Sequence, residues 1–252
     1  MAETVIGILI PFIGTAAGAA CVFFMKKQVG APARSALTAF AAGVMAASSV
    51  WSLILPAIEQ SADMGRFRFL PAAAGFWLGA AFMQPLERLA ARLSPTGQTT
   101  ADQYKTMLAV VLHNIPEGMA VGVVYAGLAA GDIGVSAASA FAFALGIAIQ
   151  NFPEGAIISM PLCAQGTRKG KSFLLGALSG VVEPVAAAAV FATFRLSVAL
   201  MPYVLSFAAG AMIWVAAGEL IPEASAQGGK RRTAAFFSLG ATLMMIADVA
   251  AG

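Results

Sequence analysis

The sequence predicts an all-α integral membrane protein: an eight-transmembrane-helix bundle with inverted repeats and both termini extracytoplasmic. Three observations carry that expectation. First, 60% of the 252 residues are hydrophobic and only 11% are charged, with a mean hydropathy of +0.84, whereas about a quarter of a soluble domain is charged. Second, apolar runs recur at approximately 4–25, 36–59, 69–90, 105–128, 134–162, 172–194, 201–224 and 233–251, each long enough to cross about 30 Å of hydrocarbon. Third, basic residues collect in alternate loops. One set holds Lys26, Lys27, Arg34, Arg88, Arg92, Lys105, Arg168, Lys169, Lys171, Lys230, Arg231 and Arg232, which is 12 of the 15 Lys and Arg residues and leaves Arg66, Arg68 and Arg195 on the other side. The positive-inside rule puts that set in the cytoplasm and both ends outside. These charges are explained by topology, so the basic balance implies no nucleic-acid partner.

The runs are too long and too rich in Ala and Gly for outer-membrane strands, which leaves helices as the spanning element. The first begins with Glu3 and no basic segment, so a retained helix is expected rather than a cleaved signal peptide. The fifth is long, and a tilt or kink near Pro153 accommodates it. Connections are short except at about Leu93 to Tyr104, where Ser94-Pro95-Thr96-Gly97-Gln98-Thr99-Thr100 reads as a flexible linker. There is no room for a soluble domain, so residues 1–252 form a single polytopic membrane domain. Cys21 and Cys163 stand in or beside apolar runs and read as packing residues. The lack of a thiolate cluster argues against a Cu(I) site.

Two polar strings interrupt this apolar background. His113-Asn114-Ile115-Pro116-Glu117-Gly118 and Gln150-Asn151-Phe152-Pro153-Glu154-Gly155 stand 37 positions apart, and the first contains the sole histidine. Ionisable side chains at membrane depth are costly and mark function by default. Residues four apart share a helix face, so His113 projects with Glu117 and Gln150 with Glu154, flanked by Asn114 and Asn151. Each Pro frees a carbonyl, those of Leu112 and Ile149, and opens the preceding turn. Each Gly admits a neighbouring helix. A second pair, Phe40-Ala-Ala-Gly-Val-Met45 and Phe207-Ala-Ala-Gly-Ala-Met212, continues to Pro56 with Glu59 and to Pro222 with Glu223. By the charge-derived topology both pairs are opposed in direction, as in transporters that bind substrate near the midplane.

Imidazole, carboxylates and amides together suit a borderline divalent ion, zinc above all, with iron, manganese, cadmium or cobalt as alternatives. Two carboxylates neutralise a dication that otherwise faces a large desolvation cost. For Asn114, Asn151 and Gln150 the competing role is interhelical hydrogen bonding. Glu183, followed by Pro184, is a further intramembrane carboxylate at a helix break, suited to a ligand or a proton relay. Glu219 and Glu223 stand toward the cytoplasmic end of their helix, where an exit role and simple solvation are equally open. Solvation or ion attraction covers Glu59, Asp63 and Asp248.

On these strings the chain resembles the ZIP (Zrt/Irt-like) family of divalent-metal transporters, bacterial branch, over essentially its whole length. The resemblance implies His113, Glu117, Gln150 and Glu154 as primary metal ligands, with Met45 the second-helix residue that can approach the ion. It implies that Asn114, Asn151 and Glu183 match the positions that hold an adjacent second ion in some relatives. Asn151 departs from the carboxylate found there, so one dominant ion is expected. It further implies elevator-like movement and, frequently, homodimers. The expected function is zinc uptake by alternating access across the inner (plasma) membrane, with the metal as cargo, the lipid bilayer as partner and no cofactor. A metal-selective channel, or a broader Fe/Mn/Cd/Co permease of the same fold, is the alternative. An intramembrane zinc protease or three-histidine hydrolase is disfavoured by the single histidine, so no enzyme is expected.

Overall fold

The computed structural model describes residues 2–24, 30–93, 99–131, 135–194 and 198–251. Lys26, Lys27, Arg195 and the Ser94–Gln98 part of the expected linker lie outside the described residues, as do the side chains of Lys105 and His113. The α-helices are α1 Ala2–Phe24, α2 Ala31–Ser48, α3 Leu55–Glu59, α4 Phe69–Leu93, α5 Thr99–Ala130, α6 Ala137–Ala164, α7 Lys169–Ser179, α8 Val182–Phe194, α9 Met201–Val215, α10 Ile221–Gly228 and α11 Lys230–Ala251. Seven helical stretches among the described residues are long and apolar enough to cross a membrane: 3–24, 31–59, 69–89, 137–164, 169–193, 201–228 and 230–250. The remaining expected run falls in α5, one continuous helix of 32 residues.

Several boundaries differ from expectation for local reasons. The second run starts at Ala31, with Pro32 in its first turn, a position where a missing N–H costs nothing. The fifth starts at Ala137 rather than 134, because Ser136 and Ser139 form a reciprocal cap with bonds of 2.9 and 3.0 Å. The linker expected to reach Tyr104 is shorter, since α5 is already helical at Thr99.

Two π-helical segments lay outside the sequence-based expectation. Ser49–Ile54 joins α2 to α3, and Ala216–Leu220 joins α9 to α10. Each precedes a proline, Pro56 or Pro222, in the first turn of the next helix. A widened turn relieves the clash of that ring with the preceding carbonyls. The hydroxyls of Ser48 and Ser49 both donate to the Met45 carbonyl (3.0 and 2.8 Å), a type of bond that bends helices. The two segments stand at matching places after the Phe-Ala-Ala-Gly strings.

Close helix pairs rest on glycine. A methyl group on Gly43 of α2 would fall 2.0 Å from the Phe237 carbonyl oxygen of α11, and one on Gly240 of α11 would fall 2.2 Å from that of Phe40. The α4–α9 pair repeats the arrangement: Gly79 meets the Phe207 oxygen at 1.9 Å and Gly210 meets that of Phe76 at 2.0 Å. In the same way α1 packs on α6, where Gly14 and Gly18 meet Ala148 and Phe152, and α5 packs on α8, where Gly118 and Gly122 meet Glu183 and Ala187. Members of each pair run parallel: contacts advance in step from Gly14 with Ala148 to Gly18 with Phe152, and from the Gly43–Gly240 crossing to Ser52 with Asp248. Without a hydrophobic drive between helices in lipid, such backbone approach supplies much of the packing. The outward faces carry apolar side chains such as Trp77 (70% exposed), Leu239 and Val249.

Gly43→Leu and Gly210→Leu are expected to lower the thermal midpoint of the detergent-solubilised protein by several degrees or to abolish monodisperse expression. Gly170→Ala, where nothing lies within 4 Å, is expected to be silent. Fluorescence-detected size exclusion after heating measures both.

Candidate metal centre

The two polar strings lie in the middle of α5 and α6, which run unbroken through Pro116 and Pro153. The prolines therefore remove single backbone bonds without ending either helix. Glu117, Asn114, Gln150 and Asn151 are fully buried, Glu183 is 1% exposed and Glu154 is 6% exposed. The backbone of His113 stands one turn before Glu117; its side chain is outside the described residues.

The described side chains form two linked groups. In the first, Gln150 Nε2 donates to Glu117 Oε1 at 2.7 Å, tying α6 to α5. In the second, Glu183 accepts from three helices: Thr15 Oγ1 of α1 at 3.0 Å and Asn114 Nδ2 of α5 at 2.9 Å, both on Oε1, and Asn151 Nδ2 of α6 at 2.8 Å on Oε2. Asn114 Nδ2 also reaches the Ser179 carbonyl at 3.3 Å. Glu183 is placed by a real break, since α7 ends at Ser179 and α8 begins at Val182. Its own N–H then bonds the Gly180 carbonyl at 3.1 Å. The expectation of a broken helix beside Pro184 is met there.

Four buried oxygens in these groups have no hydrogen-bond partner: Glu117 Oε2, Gln150 Oε1, Asn114 Oδ1 and Asn151 Oδ1. Buried polar atoms are nearly always paired, and an unmet acceptor costs about 1–3 kcal/mol. All four are acceptors, which a cation or a hydrogen-bond donor such as water would satisfy. Among the described residues no three His, Cys, Asp or Glu side chains group closely enough to hold a metal ion. The site as described is built from carboxylates and amides in alternation, and any imidazole contribution must come from His113.

Other expected positions fall elsewhere. Met45 is 1% exposed in the apolar core. Glu59 and Asp63 are exposed. Glu223 is exposed and accepts from Gln227 at 2.8 Å, and Glu219 is half-buried in the second π-helical segment. Asp248 is not simply solvated, because Ser52 donates to it at 2.5 Å. Cys21 and Cys163 are free thiols. Thr15 was not foreseen: a Thr among small apolar residues in the first run gives no local sign of its partner on α8. Glu87, which receives the indole N–H of Trp214, was missed for the same reason.

Carboxylates and amides buried together among membrane-spanning helices define the class of a polytopic membrane protein with a polar interior centre. Comparison with known proteins agrees. Residues 90–248 match the family model described as ZIP Zinc transporter. Zinc transporter ZIP11 of Xenopus tropicalis is 32% identical, covering 99% of this chain and 97% of its own length. Zinc transporter GufA of Myxococcus xanthus is 33% identical over 95% and 96%, and Zinc transporter ZIPB of Bordetella bronchiseptica is 32% identical over 96% and 79%. The chain belongs to the ZIP family.

Asn151→Asp would set a carboxylate against Glu183 where an amide now donates, so a cation is needed between them. The expected outcome is an increase in bound zinc per chain, read by elemental analysis of the purified protein, with unchanged stoichiometry in Asp63→Asn.

Proposed function

We propose that this chain is a multi-pass carrier in the inner (plasma) membrane that takes up divalent metal, zinc foremost, into the cytoplasm. Family membership makes it a transporter and not an enzyme. The observation that carries the reading is the set of unmatched acceptor oxygens on Glu117, Gln150, Asn114 and Asn151, buried between helices of membrane-spanning length. In this reading His113, Glu117, Gln150 and Glu154 hold the ion, Asn114 and Asn151 add amide oxygens, and Met45 approaches from α2. One ion dominates, because Asn151 brings no charge.

The reading includes eight crossings in a single membrane domain, with the basic loops cytoplasmic and both termini outside. Parallel packing of α1 with α6, α5 with α8, α2 with α11 and α4 with α9 supports it, since with α5 as one crossing an odd number of crossings lies between the members of each pair. The matched π-helical segments and the reciprocal Phe–Gly contacts support an inverted repeat. Such a repeat favours alternating access over a static pore.

The mechanism follows from the chemistry of the donors. A dication sheds water to enter a low-dielectric interior only if negative charge and acceptors replace the lost hydration. Glu117 and Glu154 supply the charge, and the amide oxygens complete the shell without over-binding. Release is eased because Gln150, which donates to Glu117, shares that carboxylate's charge with the ion.

The test is metal-resolved uptake into proteoliposomes. His113→Ala and Glu117→Gln are each expected to reduce zinc flux at least tenfold at unchanged membrane insertion; normal flux in both would overturn the site. Saturable flux with countertransport is expected of a carrier. Carboxylates and imidazole bind metal only when deprotonated, so uptake is expected to fall progressively as the medium is acidified.

A further inference from the structure

Thr15 lies on α1, which carries neither polar string, yet it is fully buried against the site. Its Oγ1 stands 3.0 Å from Glu183 Oε1 and 3.5 Å from the Pro11 carbonyl. A hydroxyl has one proton, and the shorter contact to a carboxylate is the stronger claim on it. The residue is held from both sides. A methyl group on Gly155, the residue after Glu154, would fall 2.0 Å from the Thr15 carbonyl oxygen, and one on Gly180, at the α7–α8 break, would fall 2.8 Å from its Cβ and Oγ1. Thr15 is thus wedged between two glycines, one next to Glu154 and the other three residues before Glu183.

Glu183 has a defined effect on its neighbours. A carboxylate only accepts hydrogen bonds, so Asn114 and Asn151 must both turn Nδ2 toward it, at 2.9 and 2.8 Å. Their Oδ1 atoms are then directed elsewhere, buried and without a hydrogen-bond partner. With three donors on its two oxygens, Glu183 is already matched, whereas the amide oxygens are not.

The geometry points to Thr15 as a positioning residue: its hydroxyl fixes Glu183, Glu183 orients Asn114 and Asn151, and the two amide oxygens rather than the Glu183 carboxylate face the ion. This assignment rests on the proposed transport function and adds α1 to the parts that set ion affinity. Without the hydroxyl, Glu183 loses one of its three anchors and is freer to swing toward the ion, and the amides lose their fixed orientation.

Uptake kinetics of Thr15→Val, Thr15→Ser and Glu117→Gln in proteoliposomes, with zinc binding to the same preparations measured by calorimetry, test the assignment. Thr15→Val keeps the shape and removes the donor; its KM and Kd for zinc are expected to rise about fivefold or more, at a maximal rate within about twofold of native. This is less than the loss of a full charge-assisted bond would give. Thr15→Ser restores the donor and is expected to restore native KM. Should Thr15→Val fail to insert, Thr15→Ala reads the same loss. Native KM and Kd in the donor-less variant, with Glu117→Gln inactive, would overturn the role of Thr15 and leave the transport reading standing. A fall in maximal rate shared by the Val and Ser variants at constant KM would show a packing role only and also overturn it. Full activity in Glu117→Gln would instead remove the transport site itself, and this inference with it.

Discussion

A carboxylate held inside a membrane protein must be matched by donors or by a cation, and that requirement organises this molecule. Glu183 meets it with donors from α1, α5 and α6. Glu117 meets it only in part, with Gln150 on one oxygen and no hydrogen-bond partner on the other. The contrast separates two roles for chemically identical groups. A saturated carboxylate acts as a fixed point for its neighbours; a half-matched one retains affinity for a positive guest. Hydrogen bonds to charged groups contribute about 1.5–3 kcal/mol each, so three donors hold Glu183 firmly.

Such bonds can form only if four helices approach within side-chain reach, and the glycines make that approach feasible. Gly155 seats the backbone of Thr15, and Gly118 seats that of Glu183 itself. The glycine following each motif glutamate therefore serves the polar centre by admitting the helix that completes it. The Phe–Gly crossings of α2 with α11 and of α4 with α9 do the same away from the centre, where Ser52 donates to Asp248 and Trp214 to Glu87. The π-helical segments continue α2 and α9. Their widened turns absorb Pro56 and Pro222 without breaking the span, in contrast to the break before Glu183.

Much of this was legible beforehand. Hydropathy located the apolar runs to within a few residues because the bilayer imposes length on each segment independently. The Pro-Glu-Gly strings announced the polar centre because Glu and Asn are expensive at that depth. The helix spacing that joined Gln150 to the face of Glu154 did not reveal that Gln150 would bond Glu117, since the donor of a pair on different helices has no sequence signature. The start of α6 was misplaced because the Ser136–Ser139 cap is a weak local signal beside the apolar run that follows it.

By itself, the sequence determined the membrane class, the approximate helices and the chemical kind of centre, because composition, length and rare polar residues act locally. Only the tertiary structure decided which polar atoms meet. Thr15 and Glu183 are 168 positions apart, and nothing in either neighbourhood predicts that one donates to the other. That pairing depends on how closely helices pack at Gly155 and Gly180, and helix packing is a property of surfaces brought together by the whole chain.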